Sequence, residues 1–229
     1  MNSAVPPEQP SSSPRVTYEE LAYDSFVRRR QGAEPFYPSS SSEAFVLDPS
    51  DSKLIREADF FFLGTVTGAG WPYVQHRGGP AGFVHVLGPS TIAWVELEGN
   101  HQFVSTGNVD RDGRVALFFV DYQTRTRVKV FGYARVIEGE DDPELMSTVR
   151  DLGDREIKSK GQRVMVVEVT ATDRNCTKHI HPRWTKSQMD EVISLYRADI
   201  AELKADNEQL RARIAELENQ REEGTSSGT

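Results

Sequence analysis

Between residues 60 and 170 the apolar positions come in short runs, each closed by glycine, proline or acidic residues, which is the pattern of strands separated by turns. Phe60 to Thr67 reads as a buried strand closed by the turn Gly68-Ala69-Gly70, and Tyr73 to Arg77 continues from it. Phe83 to Leu87 is expected to pair with Thr91 to Glu96 across Gly88-Pro89-Ser90. Arg114 to Asp121 is almost wholly apolar, as for a strand covered on both faces. Arg127 to Ile137 and Arg163 to Thr170 supply two more strands, and Asp142-Pro143 opens a helix between them that ends near Leu152-Gly153. Upstream, Thr17 to Arg30 predicts one short helix, with Thr17 as cap, Glu19 and Glu20 in its first turn and Arg28 to Arg30 in its last. Asp51 to Asp59 predicts a second, burying Leu54, Ile55 and Ala58. Six or seven strands with short turns and few helices make a small, mainly β (α+β) barrel.

The pattern changes after residue 185. From Ile193 onward a seven-residue repeat places Ile193, Ile200, Asn207 and Ile214 at a, and Tyr196, Leu203, Leu210 and Leu217 at d. Ile at a with Leu at d favours two parallel strands, and a single Asn at a sets register and pairing number. In a parallel pair, Asp199 faces Lys204, Asp206 faces Arg211 and Arg213 faces Glu218. All three pairs are opposite in sign. A helix lying on the barrel would need a wider apolar stripe than this narrow seam.

Composition narrows the possibilities. At 229 residues the chain is long enough for one buried domain with appendages. A net charge of -8 argues against a nucleic-acid surface. No apolar run is long enough to span a membrane, and the N-terminus lacks the basic-then-apolar pattern of a signal peptide. One cysteine, Cys176, leaves no internal disulfide and suits a reducing cytoplasm. Met1 to Pro14 is rich in Pro and Ser and reads as a disordered leader, and Ser39 to Ser42 as a flexible connection.

The candidate chemistry lies in two strands. Alternation along Tyr73 to Arg77 puts Gln75 and Arg77 on one face, able to meet an anion, with His76 opposite. Gly78-Gly79-Pro80 follows, where another backbone or a flat ligand could approach closely. Arg125, Arg127 and Lys129 recur at every second position, opposite Thr126, Val128 and Val130. They form either a phosphate-binding face or a solvated barrel face.

The order of these segments over roughly Phe60 to Val136 resembles the FMN-binding split barrels of the pyridoxamine 5'-phosphate oxidase-like superfamily. The resemblance implies that Arg77, in Gln75-His76-Arg77, binds FMN. It also implies that Trp94-Val95-Glu96 and the loop Gly99-Asn100-His101-Gln102 stand where that superfamily supplies phosphate ligands. Arg127, in Arg127-Val128-Lys129-Val130-Phe131-Gly132, matches a further phosphate-holding position. The cofactor-binding set is therefore Gln75, His76, Arg77, Glu96, Asn100, His101, Gln102, Arg125 and Arg127. The vitamin B6 oxidases have a Ser-Arg-Lys type sequence where this chain has Asn100-His101-Gln102, and a Trp- and Arg-rich end that nothing after Thr170 matches. Pyridoxamine phosphate is therefore not the expected substrate.

Asn175-Cys176-Thr177-Lys178-His179-Ile180 resembles an Asn-Cys-x-x-His-Ile element in a branch of the superfamily with no settled substrate. It makes His179 the catalytic candidate, for proton relay or substrate orientation. Cys176 is expected to be a buried residue rather than a redox thiol, and His179 with His181 is an incomplete metal set. His85 and Trp94 are expected to pack or to hydrogen-bond structurally. The resulting organisation is a disordered leader over 1–16, a helix and linker over 17–50, an FMN-binding split barrel over 51–184, a coiled-coil helix over 185–222 and a disordered tail over 223–229. The expected function is an FMN-dependent oxidoreductase acting on a small molecule. The expected assembly is a homodimer through the barrel and the parallel zipper, with no nucleic acid, membrane or metal partner. Deazaflavin F420 or haem are alternative cofactors on this fold, and a non-catalytic sensor or interaction module is the alternative role. A purely structural dimer leaves the Arg125, Arg127, Lys129 face without a purpose.

Overall fold

A computed structural model describes residues 16–32, 43–174 and 178–226. The leader through residue 15, Ser39 to Ser42 and Asn175 to Thr177 with Cys176 lie outside the described residues. The chain divides into two compact units, up to His181 and from Pro182 onward.

The first unit is built on one seven-stranded antiparallel sheet. Its strands are β1 (Phe60–Val66), β2 (Pro72–Gly78), β3 (His85–Val86), β4 (Thr91–Leu97), β5 (Arg114–Asp121), β6 (Thr126–Glu138) and β7 (Gly161–Arg174). They run in the order β2-β1-β5-β6-β7-β4-β3. The sheet rolls into a barrel whose two ends, β2 and β4–β3, are not joined to each other by a strand ladder. This is a split β-barrel.

Local chemistry accounts for most of the elements, with some departures from expectation. The stretch from Thr17 forms two helices, α1 (Tyr18–Ala22) and α2 (Ser25–Gln31), rather than one. Asp24 causes the break: its carboxylate accepts from the amides of Phe26 and Val27, both at 2.9 Å, and so starts a new helix. Next comes α3 (Pro49–Glu57), capped by Asp48, with Ile55 fully buried. The predicted strand from Phe83 shrinks to His85–Val86, because Phe83 and Val84 turn inward to the core before pairing begins. Helix α4 (Val104–Arg111) has no clear sequence signal: Ser105, Thr106 and Gly107 are weak helix formers. Helix α5 (Pro143–Arg150) starts at the predicted Asp142-Pro143 cap.

Alternation sorts the barrel into an inside and an outside. Phe61, Leu63 and Thr65 of β1 point in, beside Val115, Leu117 and Phe119 of β5. Phe61 is the hub of this core, with ring centres 4.9 Å from Trp94 and 4.8 Å from Phe119. Strand β5 is covered fully on the inner side only, since Ala116 and Phe118 on its outer face remain partly exposed. At the register shift after Phe131, Gly132 lets β6 and β7 close up, because a Cβ there would lie 2.4 Å from the Glu168 carbonyl oxygen. Asp51 of α3 is buried and accepts from Thr172 Oγ1 at 2.9 Å and from Arg174 Nε, which ties α3 to β7.

The second unit contains one 41-residue helix, α6 (Lys186–Ser226), which extends into the segment expected as a tail. Its Thr185 start carries reciprocal hydrogen bonds with Gln188. Among the described residues no helix is long and apolar enough to cross a membrane. No cluster of three or more metal-ligating side chains occurs among them either.

Candidate functional site

Where the barrel splits, an ion pair spans the gap. Arg77 of β2 and Glu96 of β4 lie on inward positions of strands that share no backbone ladder, and Arg77 Nη2 reaches Glu96 Oε2 at 3.0 Å. Both side chains are largely buried, at 22 % and 13 % exposure. Glu96 is itself oriented from within the core: the indole Nε1 of buried Trp94 donates to its Oε1 at 2.7 Å. On the β2 side, Tyr73 donates its hydroxyl to Gln75 Oε1 at 2.6 Å, leaving the Gln75 amide nitrogen as a donor.

This gap opens into a cleft of about 870 Å³. Its walls are the inward side of β2, the end of β4, the loop through Asn100 to Phe103, the first turn of α4, Arg150 of α5, and residues 158–163. The loop is tightly folded. His101 and Phe103 adopt left-handed backbone conformations (φ 58° and 47°), and Asn100 Oδ1 accepts from the Gln102 amide at 3.3 Å. Exposed His101 lies 3.4 Å from Glu98, a pair that carries opposite charges only when the imidazole is protonated.

The first turn of α4 has no side-chain cap, so its leading amides are open donors at the positive end of the helix. Ser105 in that turn is 2 % exposed. Its Oγ, like the Nε of Arg77, is buried without a hydrogen-bond partner among the described residues. Buried donors in this state are rare in folded proteins and point to something that completes them.

Cations surround the far wall in different states. Arg150 is spent on the backbone: its guanidinium donates to the carbonyls of Ile157 (2.7 Å), Ser159 (3.1 Å) and Gly161 (2.8 Å), which holds the 157–161 segment in shape. Arg163 donates to Glu138 at 2.6 Å and stacks over the Phe103 ring at 5.0 Å. Lys158 and Lys160, on the loop that Arg150 fixes, are exposed at the cleft wall.

Seven of the residues expected to bind a cofactor line the cleft: Gln75, His76, Arg77, Glu96, Asn100, His101 and Gln102. His76 reaches its edge, but it occupies an exposed position of β2, and its ring stacks on Phe60 with centres 5.6 Å apart. Arg125 and Arg127 do not line the cleft. Arg125 precedes β6 in a turn, with φ 57°, so the expected alternation does not reach it. Arg127 alternates with buried Val128 and Val130 and therefore lies on the outer surface of the sheet. Its outer-face neighbour Lys129 is already engaged, donating to Asp173 at 3.1 Å and to the Tyr18 hydroxyl at 3.2 Å. Burial works to lower the Lys129 pKa, but these two hydrogen bonds leave it above its ordinary value.

Of the two glycines after Arg77, Gly78 lines the cleft, whereas Gly79 serves the core. A Cβ at Gly79 would sit 2.6 Å from Phe83, and its amide donates to Asp59. His179 is exposed, has a left-handed backbone (φ 66°) and does not line the cleft. Ser105, Arg150, Lys158, Lys160 and Arg163 were not anticipated. The run Lys158-Ser159-Lys160-Gly161-Gln162-Arg163, three cations in six residues, was the legible signal for most of them.

A family model described as pyridoxamine 5'-phosphate oxidase matches residues 47–176, the segment that contains the whole barrel. No curated protein matches the chain. Among solved structures, a pyridoxamine 5'-phosphate oxidase candidate from Lactobacillus delbrueckii is 22% identical, covering 56% of this chain and 93% of its own, with a TM-score of 0.44. HupZ of Group A Streptococcus is 14% identical, covering 60% and 99%, at a TM-score of 0.44. A protein described as an F420 reductase is 15% identical, covering 56% and 98%, at 0.43.

Proposed function

The chain belongs to the pyridoxamine 5'-phosphate oxidase family, and on that premise we propose that it is an FMN-dependent oxidoreductase whose flavin occupies the cleft at the barrel split. The observation that carries this reading is the pair of buried, unsatisfied donors, Arg77 Nε and Ser105 Oγ, both on residues that line the cleft. The uncapped first turn of α4 adds amide donors beside them. Together they have the character of a phosphate site: a guanidinium fork, a hydroxyl and helix-end amides. The cleft volume also lies within the range usual for cofactor pockets, about 300–1,000 Å³.

In this reading each residue has a defined task. Glu96, itself held by Trp94, positions the Arg77 fork through one nitrogen and leaves the others for phosphate oxygens. Ser105 and the α4 amides complete the phosphate cradle. Gln75, oriented by Tyr73, offers its amide nitrogen to a polar ring edge. Asn100 and Gln102 shape the remaining wall. Lys158 and Lys160 supply positive charge at the rim, which Arg150 holds in place. When bound, FMN supplies hydride or electron transfer at its ring system, and the protein contributes binding, orientation and electrostatics.

Pairing of two barrels belongs to the same proposal. The outer face of β1 and β2 carries Phe60, Phe62, Val66 and Val74 with Trp71 beside them, and Val74 and Trp71 are 65 % and 72 % exposed. Arg127 is on the outer surface too, with its Nε buried and without a partner among the described residues. Arg127 is two strands away from the band, on β6, so in this reading the second barrel covers the band and extends across β5 to complete it.

The deciding experiment is the visible spectrum of the purified protein with mass identification of any released chromophore. FMN release is the expected result. A deazaflavin or haem would keep the site and change its chemistry. A colourless protein that takes up no added FMN would overturn the reading.

A further inference from the structure

We propose that α6 is one strand of a parallel, two-stranded coiled coil and that its partner is the same helix of a second copy of this chain. The inference does not depend on the flavin reading. It rests on the form of the helix, its exposed apolar seam and the charges that flank the seam.

The helix is continuous over 41 residues, a length of about 60 Å at 1.5 Å per residue. Its apolar a and d residues (Ile193, Tyr196, Ile200, Leu203, Leu210, Ile214 and Leu217) are all between 40 and 64 % exposed. A helix with such a seam gains its stability from covering that seam rather than from intrinsic propensity. The seam is only two positions wide per heptad, which suits one partner helix crossing at a shallow angle and not a broad sheet surface.

The flanking charges identify the partner and its direction. In a parallel pair each g residue meets the e residue five positions later on the other strand. This sets Asp199 against Lys204, Asp206 against Arg211 and Arg213 against Glu218, twice over by symmetry. An antiparallel pair instead sets e against e and g against g, and three of the four e residues, Arg197, Lys204 and Arg211 beside Glu218, are cationic. It would also bring Asp206 against Asp206 near the middle of the seam. A helix complementary to itself in one direction only selects its own copy.

Asn207 fixes the register. In the single helix its amide nitrogen donates back to the Leu203 carbonyl at 2.9 Å. In the aligned parallel pair the two Asn207 side chains share one layer and can bond to each other. Sliding by a heptad would place each amide against Ile200 or Ile214.

The test uses the full chain with Cys176→Ser, so that introduced thiols are the only ones. Leu217→Cys and Ile193→Cys are made separately, oxidised mildly alone and as a mixture, and the products are weighed. Near-complete self-linked dimers from each variant are expected. Asp199→Lys with Asp206→Lys should cut self-linking at least tenfold, and mixing that protein with a Lys204→Asp, Arg211→Asp chain should restore linking as a heterodimer. A mixture that prefers to link the Ile193→Cys chain to the Leu217→Cys chain, no self-linking at Leu217→Cys, a three-chain mass for the unlinked full chain in native mass measurement, or indifference to the charge reversals would each overturn the proposal.

Discussion

Arg77 and Arg127 share an unusual condition, a buried Nε that finds no acceptor among the described residues, yet they occupy opposite surfaces of the same sheet. Arg77 points inward at the split, where closure of the barrel supplies Glu96 from across the gap and a cleft for whatever completes the fork. Arg127 points outward beside Lys129, whose charge is already met by Asp173. One cationic position is thus assembled within a single chain, and the other is left open to the outside. The strand pattern treats the two residues alike, so their difference follows from curvature: rolling the sheet brings β2 to β4 and turns the outer face of β6 away from both.

This contrast can be tested, beginning with its strongest side. Arg77→Ala removes the fork and strands the Glu96 carboxylate, which is 13 % exposed. It is expected to weaken FMN retention on the order of 100-fold and to cost about 3 kcal/mol in urea unfolding, since breaking a buried pair leaves a charge uncompensated. Arg127→Ala should leave barrel stability within about 1 kcal/mol, because it deletes an already unsatisfied donor. Its expected effect is roughly tenfold weaker FMN retention, seen in paired protein and absent in diluted, separated chains by fluorescence titration. Equal loss in both states would place Arg127 in a single-chain site and erase the distinction.

Ser105→Ala is the next step down. Removing an unpaired buried hydroxyl should leave unfolding unchanged or slightly more costly, while FMN binding weakens by about threefold to tenfold for one lost hydrogen bond. A drop in stability without any change in binding would mean that Ser105 serves packing alone. The smallest effect concerns His85, whose Nε2 is also buried without a partner among the described residues. Burial lowers its pKa below the ordinary 6.5, outweighing the backbone hydrogen bond at Val149 and the Asp151 charge, while Arg56 adds to the lowering. The unfolded chain then binds the proton more readily, so stability should fall as pH drops below about 6.5. His85→Gln should flatten that part of the pH–stability curve, and an unchanged slope would assign it to other groups.

How much could be read in advance varies with the range of the interaction. The strands around Phe61, Leu117 and Val128 follow from runs of apolar residues whose period is local, and all were legible. The heptads of α6, with Asn207 and the flanking charges, were equally plain, because a helix repeats its faces every few residues whatever surrounds it. Helix α4 was not legible, since Ser105, Thr106 and Gly107 favour no helix by themselves and are held by packing of Val109 and by the Asn108–Thr65 hydrogen bond at 2.9 Å. The division of Thr17 to Arg30 at Asp24 was visible in principle as a second cap within the run.

The candidate site was half legible. Gln75 and Arg77 declared themselves by alternation, and the polar loop through Asn100 by its place in the order of segments. The chain alone thus determined most of the strands, the long helix α6 and which side chains within them share a face, because those properties are set by neighbours a few bonds away. Helix α4, the break at Asp24 and the turn at Arg125 lay outside that reading. The chain did not determine which face turns inward at each end of the sheet, that Glu96 would meet Arg77, or that Ser105 and the Lys158 to Arg163 segment would join them. Those decisions belong to the tertiary structure: the roll of the sheet and the register of β4 on β7 bring together residues far apart along the chain, a coupling that no local period encodes.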